Sequence, residues 1–110
     1  MHLAVNGFTV SLDKEGFLKN LSDWNKDVAT QIALQEKIQL TDKHWEIINL
    51  LREFYQTFEV SPSMRAFTKY VNQRLGQEKG RSVYLLSLFP ESPAKLASKI
   101  AGLPKPPNCL

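Results

Sequence analysis

Thr41-Asp42-Lys43-His44-Trp45-Glu46-Ile47-Ile48-Asn49-Leu50-Leu51-Arg52-Glu53-Phe54-Tyr55-Gln56-Thr57-Phe58 is the stretch whose periodicity decides the fold. Trp45, Ile48, Leu51, Tyr55 and Phe58 fall on one helical face, and Ile47, Leu50 and Phe54 widen it. Thr41 supplies a side-chain oxygen for the first amides of this helix. So broad an apolar face predicts the most buried helix of the chain.

Outward from this helix the same pattern repeats on a smaller scale. Upstream, Trp24, Val28 and Ile32 recur every four residues and predict a helix over about 23–36, capped by Ser22 or Asn25. Downstream, Ser61-Pro62 predicts a third helix with proline in its first turn, carrying Met64, Phe67, Val71 and Leu75 before a stop at Gly76. Ser82 to Leu88 reads as a short fourth helix ended by Phe89-Pro90. Ser92-Pro93 starts a fifth, with Ala94, Ala97 and Ile100 facing inward and Gly102 closing it. At the other end, Leu3-Ala4-Val5 and Phe8-Thr9-Val10 flank Asn6-Gly7, a pair that tolerates the two left-handed positions of a tight hairpin. Asp13-Lys14-Glu15-Gly16 reads as a further turn. A two-stranded ribbon is marginal alone and must pack on helices.

The expected fold is therefore mainly α with a small N-terminal β-hairpin, an α+β arrangement built as a compact bundle of about five helices. Residues 1–101 form one globular domain, with the hairpin at about 3–10 and helices over about 23–101. Residues 102–110 form an extended, Pro-rich C-terminal arm. Adjacent short helices, the third and fourth or the fourth and fifth, give the bundle a helix-turn-helix-like part.

Composition narrows the function classes. A chain of 110 residues with 43% hydrophobic and 23% charged residues is globular rather than disordered. No apolar run approaches the ~20 residues a membrane span needs. The first residues lack a basic region followed by an apolar core, so no secretory signal is expected. One cysteine precludes an internal disulfide framework and suits a reducing cytoplasm. The net charge of +3 is unevenly spread. Residues 1–60 hold six basic and nine acidic side chains, a balance of −3, whereas residues 61–110 hold eight and two, a balance of +6. The basic half suits an acidic partner surface or nucleic acid, or is simply a set of solvated helix faces.

His2, His44 and Cys109 are the whole soft-ligand inventory and no two have ligand spacing, so neither metal nor other cofactor is expected. His44 reads as a partly exposed histidine at a helix start. The five glycines are scattered turn and cap residues that form no phosphate loop. What remains is Cys109, at the end of Gly102-Leu103-Pro104-Lys105-Pro106-Pro107-Asn108-Cys109-Leu110. Most lone cysteines are inert core hydrophobes, but a terminus packs poorly unless tied down, and prolines stiffen this one. In polyproline geometry the tail reaches roughly 20 Å beyond Gly102 at ~3.1 Å per residue. A single thiol cannot run a dithiol cycle within the chain, but it can accept a sulfane sulfur as Cys–S–SH and pass it on.

The tail Lys99-Ile100-Ala101-Gly102-Leu103-Pro104-Lys105-Pro106 leading to Cys109 resembles the C-terminal signature of the DsrC/TusE family. Leu40-Thr41, His44-Trp45-Glu46 and Arg52-Glu53-Phe54-Tyr55 are similar to that family's central helix, and Ser61-Pro62-Ser63-Met64-Arg65 and Leu88-Phe89-Pro90 to its later segments. The resemblance implies a sulfurtransferase acting through a cysteine persulfide on Cys109. It implies a place in the relay for 2-thiouridine at the tRNA wobble position, with sulfur accepted from a TusBCD-like donor and passed toward an MnmA-like thiouridylase. DsrC proteins, associated with dissimilatory sulfite reductase, carry a second cysteine eleven positions before the penultimate one. Ser98 stands there in this chain, which favours the TusE branch.

Lys105, Arg65 and Arg81 are the candidate partner-docking residues. Contact with tRNA is expected only indirectly, because the basic count is modest and aromatic–basic interleaving is absent. The alternatives are a DsrC-like subunit of a sulfite reductase and a small helix-turn-helix nucleic-acid binder, whose binding would weaken steeply with salt. Lys105 favours the thiolate of Cys109 and the nearer carboxylate of Leu110 opposes it, so a partner is expected to generate the reactive form. The alkylation rate of Cys109 should accordingly rise with pH as in a model peptide. An apparent pKa far below that of the peptide would overturn this reading.

Overall fold

A computed structural model describes residues 1–108. Strands β1 (His2–Val5) and β2 (Phe8–Ser11) pair antiparallel, with Leu3 opposite Val10 and Val5 opposite Phe8. Asn6 and Gly7 take the two left-handed positions between them, at φ 49° and 82°. The alternation buries Leu3, Val5 and Val10, and β1 rests on α1. In the following turn the Asp13 carboxylate accepts the amides of Glu15 and Phe17, both at 2.9 Å. Phe17 and Leu18 are thereby tucked into the interior.

Five helices follow, α1 (Lys26–Gln35), α2 (Asp42–Phe58), α3 (Met64–Leu75), α4 (Ser82–Leu88) and α5 (Pro93–Ile100). The α+β class, the hairpin and the helix order are those expected from the sequence. Several boundaries differ for identifiable reasons. The first helix begins at Lys26, not near Asp23, because Asn25 is extended and its side chain caps the Val28 amide at 2.8 Å. A short 3-10 turn, Leu21–Asp23, precedes it. Trp24 is thus freed from the helix on whose stripe it was expected. Pro62 lies before the cap rather than in the first turn of α3, since Ser63 accepts the Ala66 amide.

The most buried helix is α5, not α2. It packs against α1, α2, α3 and α4 and buries Pro93, Ala94, Ala97, Ser98, Lys99 and Ile100. Its small alanines let neighbouring helices approach closely, so a short helix can sit at the centre. In α2 the N-terminal half, with His44, Ile47, Ile48, Leu50 and Leu51, is buried, whereas Phe58 at its end is 54% exposed. Each fully buried leucine, isoleucine or phenylalanine contributes about 1.5–3 kcal/mol. The Cα radius of gyration, 13.1 Å, is that of a well-packed chain of this length, about 13 Å. Among the described residues no helix is long and apolar enough to cross a membrane.

His44 is a correction to the sequence reading, since it is buried rather than partly exposed. Its Nδ1 accepts the Thr41 amide at 3.1 Å, closing a capping box, and its Nε2 lies 2.9 Å from the Leu88 carbonyl. With Nδ1 accepting, Nε2–H is the donor to Leu88. The ring also meets Phe89 edge-on at 5.3 Å. His44 therefore joins α2 to the end of α4 as a structural residue.

The end of α5 sets up everything that follows it. Gly102 has φ +74°, and a Cβ there would lie 2.2 Å from the Trp24 ring. Gly102→Ala is expected to destabilise the fold by about 2–4 kcal/mol through left-handed strain and overpacking. Urea unfolding should show a lowered midpoint with an unchanged slope. An unchanged midpoint would mean that the indole yields freely.

Candidate functional site

The C-terminal tail starts from a tightly closed helix end. The Gly102 amide bonds the Lys99 carbonyl at 3.2 Å and the Leu103 amide bonds the Ser98 carbonyl at 3.0 Å, the two bonds of a Schellman ending. The last two carbonyls of the turn are taken by side chains from elsewhere. Trp24 Nε1–H donates to the Ile100 carbonyl at 2.9 Å, and Arg52 Nη1 donates to the Ala101 carbonyl at 2.7 Å. The Arg52 guanidinium stacks 3.7 Å from the Trp24 ring centroid. A cation beside a helix C-terminus is favoured by the helix dipole. Burial pulls the Arg52 pKa down from its ordinary value, and among the described residues no carboxylate pairs with it.

Beyond the turn the chain stays against the body. Leu103 is buried, and the Pro104 carbonyl accepts the Ser61 hydroxyl at 2.6 Å. Lys105 Nζ reaches Glu15 at 3.1 Å, and Lys95 reaches the same carboxylate at 3.2 Å. Pro106 is buried, while Pro107 and Asn108 are exposed. Segments 13–18 and 59–63 and the end of α5 thus grip residues 102–106. The Glu15 carboxyl is held below its ordinary range, first by its hydrogen bond to Lys105 and then by that to Lys95.

Cys109 lies outside the described residues. Of the docking candidates, Lys105 is engaged with Glu15, Arg65 is exposed in the first turn of α3, and Arg81 is exposed just before α4. They sit on three separate elements, and no interaction joins them. Ser98 is fully buried, and its hydroxyl has no hydrogen-bond partner among the described residues. A cleft of about 430 Å³ is lined by Glu36, Pro90, Glu91, Ser92, Lys95, Leu96 and Lys99. Its two lysines are engaged with carboxylates, Lys99 3.5 Å from Glu36 and Lys95 3.2 Å from Glu15. Among the described residues no group of three or more His, Cys, Asp or Glu side chains is placed to hold a metal.

The residues that hold the tail, Trp24, Arg52, Ser61 and Glu15, were not legible as a site. Trp24 reads as one member of an apolar stripe and Ser61 as a helix start. Their common target appears only once five distant segments meet. The signals available in the sequence were Gly102 and the charged Arg52 directly after the apolar pair Leu50-Leu51.

The family described as "DsrC like protein" matches residues 4–110. A "Sulfurtransferase TusE homolog" from Haemophilus influenzae is 51% identical over 108 residues, covering 98% of this chain and 99% of that protein. "Sulfurtransferase TusE" from Photorhabdus laumondii is 50% identical over 108 residues, covering 98% and 97%. Among solved structures, Allochromatium vinosum DsrC matches with TM-score 0.89 and 48% identity over the whole of both chains. The oxidized gamma-subunit of the dissimilatory sulfite reductase (DsrC) from Archaeoglobus fulgidus matches with TM-score 0.86 and 36% identity, again over both full lengths.

The grip on Lys105 carries a pH dependence of definite sign. The folded-state pKa of Glu15 lies below 4.5, so its stabilisation is fully present above that value and is lost as pH falls through the folded-state pKa. Glu15→Gln should lower the unfolding midpoint slightly at neutral pH. The gap should close as the pH drops below 4.5. A gap that stays constant into acid would show that the contact is not ionic.

Proposed function

The chain belongs to the DsrC-like family, and on that premise we propose that it is a sulfurtransferase of the TusE kind, carrying persulfide sulfur on Cys109 in the relay for tRNA 2-thiouridine modification. The observation that carries this reading is the full-length match to TusE sulfurtransferases in a chain whose single cysteine stands at the penultimate position.

The chemistry needs only that sulfur. The Cys109 thiolate attacks the terminal sulfur of a donor persulfide, R–S–SH. A new S–S bond forms to Cys109 as the donor's S–S bond breaks, and the electron pair leaves on the donor thiolate. The transferred atom keeps its oxidation state and its proton, so no oxidant or reductant is consumed. A second, equivalent attack by an acceptor thiolate restores Cys109. The donor is a TusBCD-like complex and the acceptor an MnmA-like thiouridylase, which itself holds the tRNA; the setting is cytoplasmic. Lys105, Arg65 and Arg81 serve as docking cations on the basic half.

A second reading, a DsrC-like subunit associated with sulfite reductase, is favoured by the likeness to solved DsrC proteins. Ser98 weighs against it, because this chain has no second thiol for an internal disulfide or trisulfide. Co-purification with a sulfite reductase would favour that reading.

Incubation with a persulfide donor followed by intact-mass measurement tests the carrier role. Wild type should gain one sulfur atom, removable by a reductant, and Cys109→Ser should gain none while unfolding at the same urea concentration. Equal loading of both proteins would falsify the assignment.

A further inference from the structure

The end of α2 is unusual for an exposed segment. Phe58 is 54% and Val60 46% exposed, and they flank Glu59, whose left-handed φ of 56° ends the helix. Phe58 packs against Phe54 with ring centroids 4.6 Å apart and planes tilted by 48°, and Phe54 meets Tyr70 of α3 edge-on at 5.0 Å. Scattered exposed apolar residues are ordinary. Here they adjoin Ser61, whose hydroxyl bonds the Pro104 carbonyl of the tail at 2.6 Å. Among the described residues the other exposed large apolar side chains, Met1 and Phe8 at the hairpin, Leu34 on α1 and Val83 and Leu86 on α4, show no such tie to the tail.

We infer that this surface, Phe58 and Val60 backed by Phe54 and Tyr70, seats the protein that hands sulfur to Cys109. The inference rests on the carrier reading and adds where the partner docks. Chain length supplies the argument. From Pro104, pinned at Ser61, five residue steps lead to Cys109, at most about 17 Å of extended chain. Phe58 lies three steps before Ser61, at most about 11 Å away, and Val60 is its neighbour. A donor sulfur that meets Cys109 while the tail keeps its grip therefore lies within roughly 30 Å of Phe58. A folded donor protein brings its active-site rim with it, and an interface of the usual size, about 800 Å² per partner, is a patch roughly 30 Å across, wide enough to take in this end of α2. Exposed aromatic side chains braced from behind make effective anchors, because they bury much area and lose little freedom. The occupant is thus a protein with an apolar rim around its persulfide-bearing cysteine. A small-molecule persulfide has no use for the surface.

That contrast gives the test. A persulfide-loaded TusBCD-like complex and a small alkylating agent, iodoacetamide, are each reacted with wild type and with Phe58→Ser/Val60→Ser. The double variant should raise the KM for sulfur transfer about tenfold with kcat changed less than about twofold, as loss of an anchor predicts. Iodoacetamide should alkylate Cys109 at the wild-type rate. Val60→Lys alone, at a half-exposed position, should give a smaller shift in the same direction and covers the case in which the double variant folds poorly. An unchanged KM in the variants, with wild type accepting sulfur normally, overturns the docking surface and leaves the carrier reading standing. A matching loss of iodoacetamide reactivity also overturns it, because the effect would then lie in the tail. Failure of wild type to accept any sulfur overturns the carrier reading and this surface together.

Discussion

The closed end of α5 is the constraint on which the rest of the structure depends. Eight residues long, the most buried helix ends at Ile100, where its backbone must leave a crowded interior and exposed carbonyls would be costly. Trp24 and Arg52 solve this together. The indole N–H takes the Ile100 carbonyl, the guanidinium takes the Ala101 carbonyl, and the two side chains stack on each other. The stack is possible only because Gly102 has no Cβ where the indole lies. One contact set thus ends α5, ties α2 to the segment before α1, and aims the following residues across the body.

That arrangement separates structure from chemistry. The body supplies packing and a few paired charges, and its buried histidine is used up in joining α2 to α4. The thiol proposed to carry sulfur follows, in sequence, a segment gripped as far as Pro106. In the proposed role, a short tether on a firm anchor trades reach for reduced ordering entropy when such a thiol enters another protein. Such a tether places demands on the body as well, since the partner must approach the surface from which it leaves. The exposed aromatic end of α2 lies three residues before Ser61, whose hydroxyl holds the Pro104 carbonyl of the tail.

The elements legible in the sequence are those governed by neighbours along the chain. Asn6-Gly7 specifies the hairpin because few residues tolerate two left-handed positions in succession. Thr41 and Gly76 mark helix ends through local capping, Pro93 marks one as the first residue of α5, and the single cysteine limits the chemistry to one-thiol transfer. Where periodicity was asked to report burial it failed in particular places. Phe58 continues the α2 stripe yet faces outward, because the helix outruns the core beneath it. Trp24 continues the α1 stripe yet stands outside the helix, because Asn25 caps first. His44, a helix-start residue by position, is buried because α4 arrives over it.

By itself, then, the sequence determined the secondary elements, the class of fold, the family resemblance and the single thiol proposed to carry sulfur. All of these follow from side-chain type and spacing within a few residues. Which helix lies at the centre, and which side chains hold the tail, were decided only by tertiary structure. Those properties depend on groups brought together from residues 15, 24, 52, 61 and 100–105, and no local pattern encodes a meeting of segments so far apart.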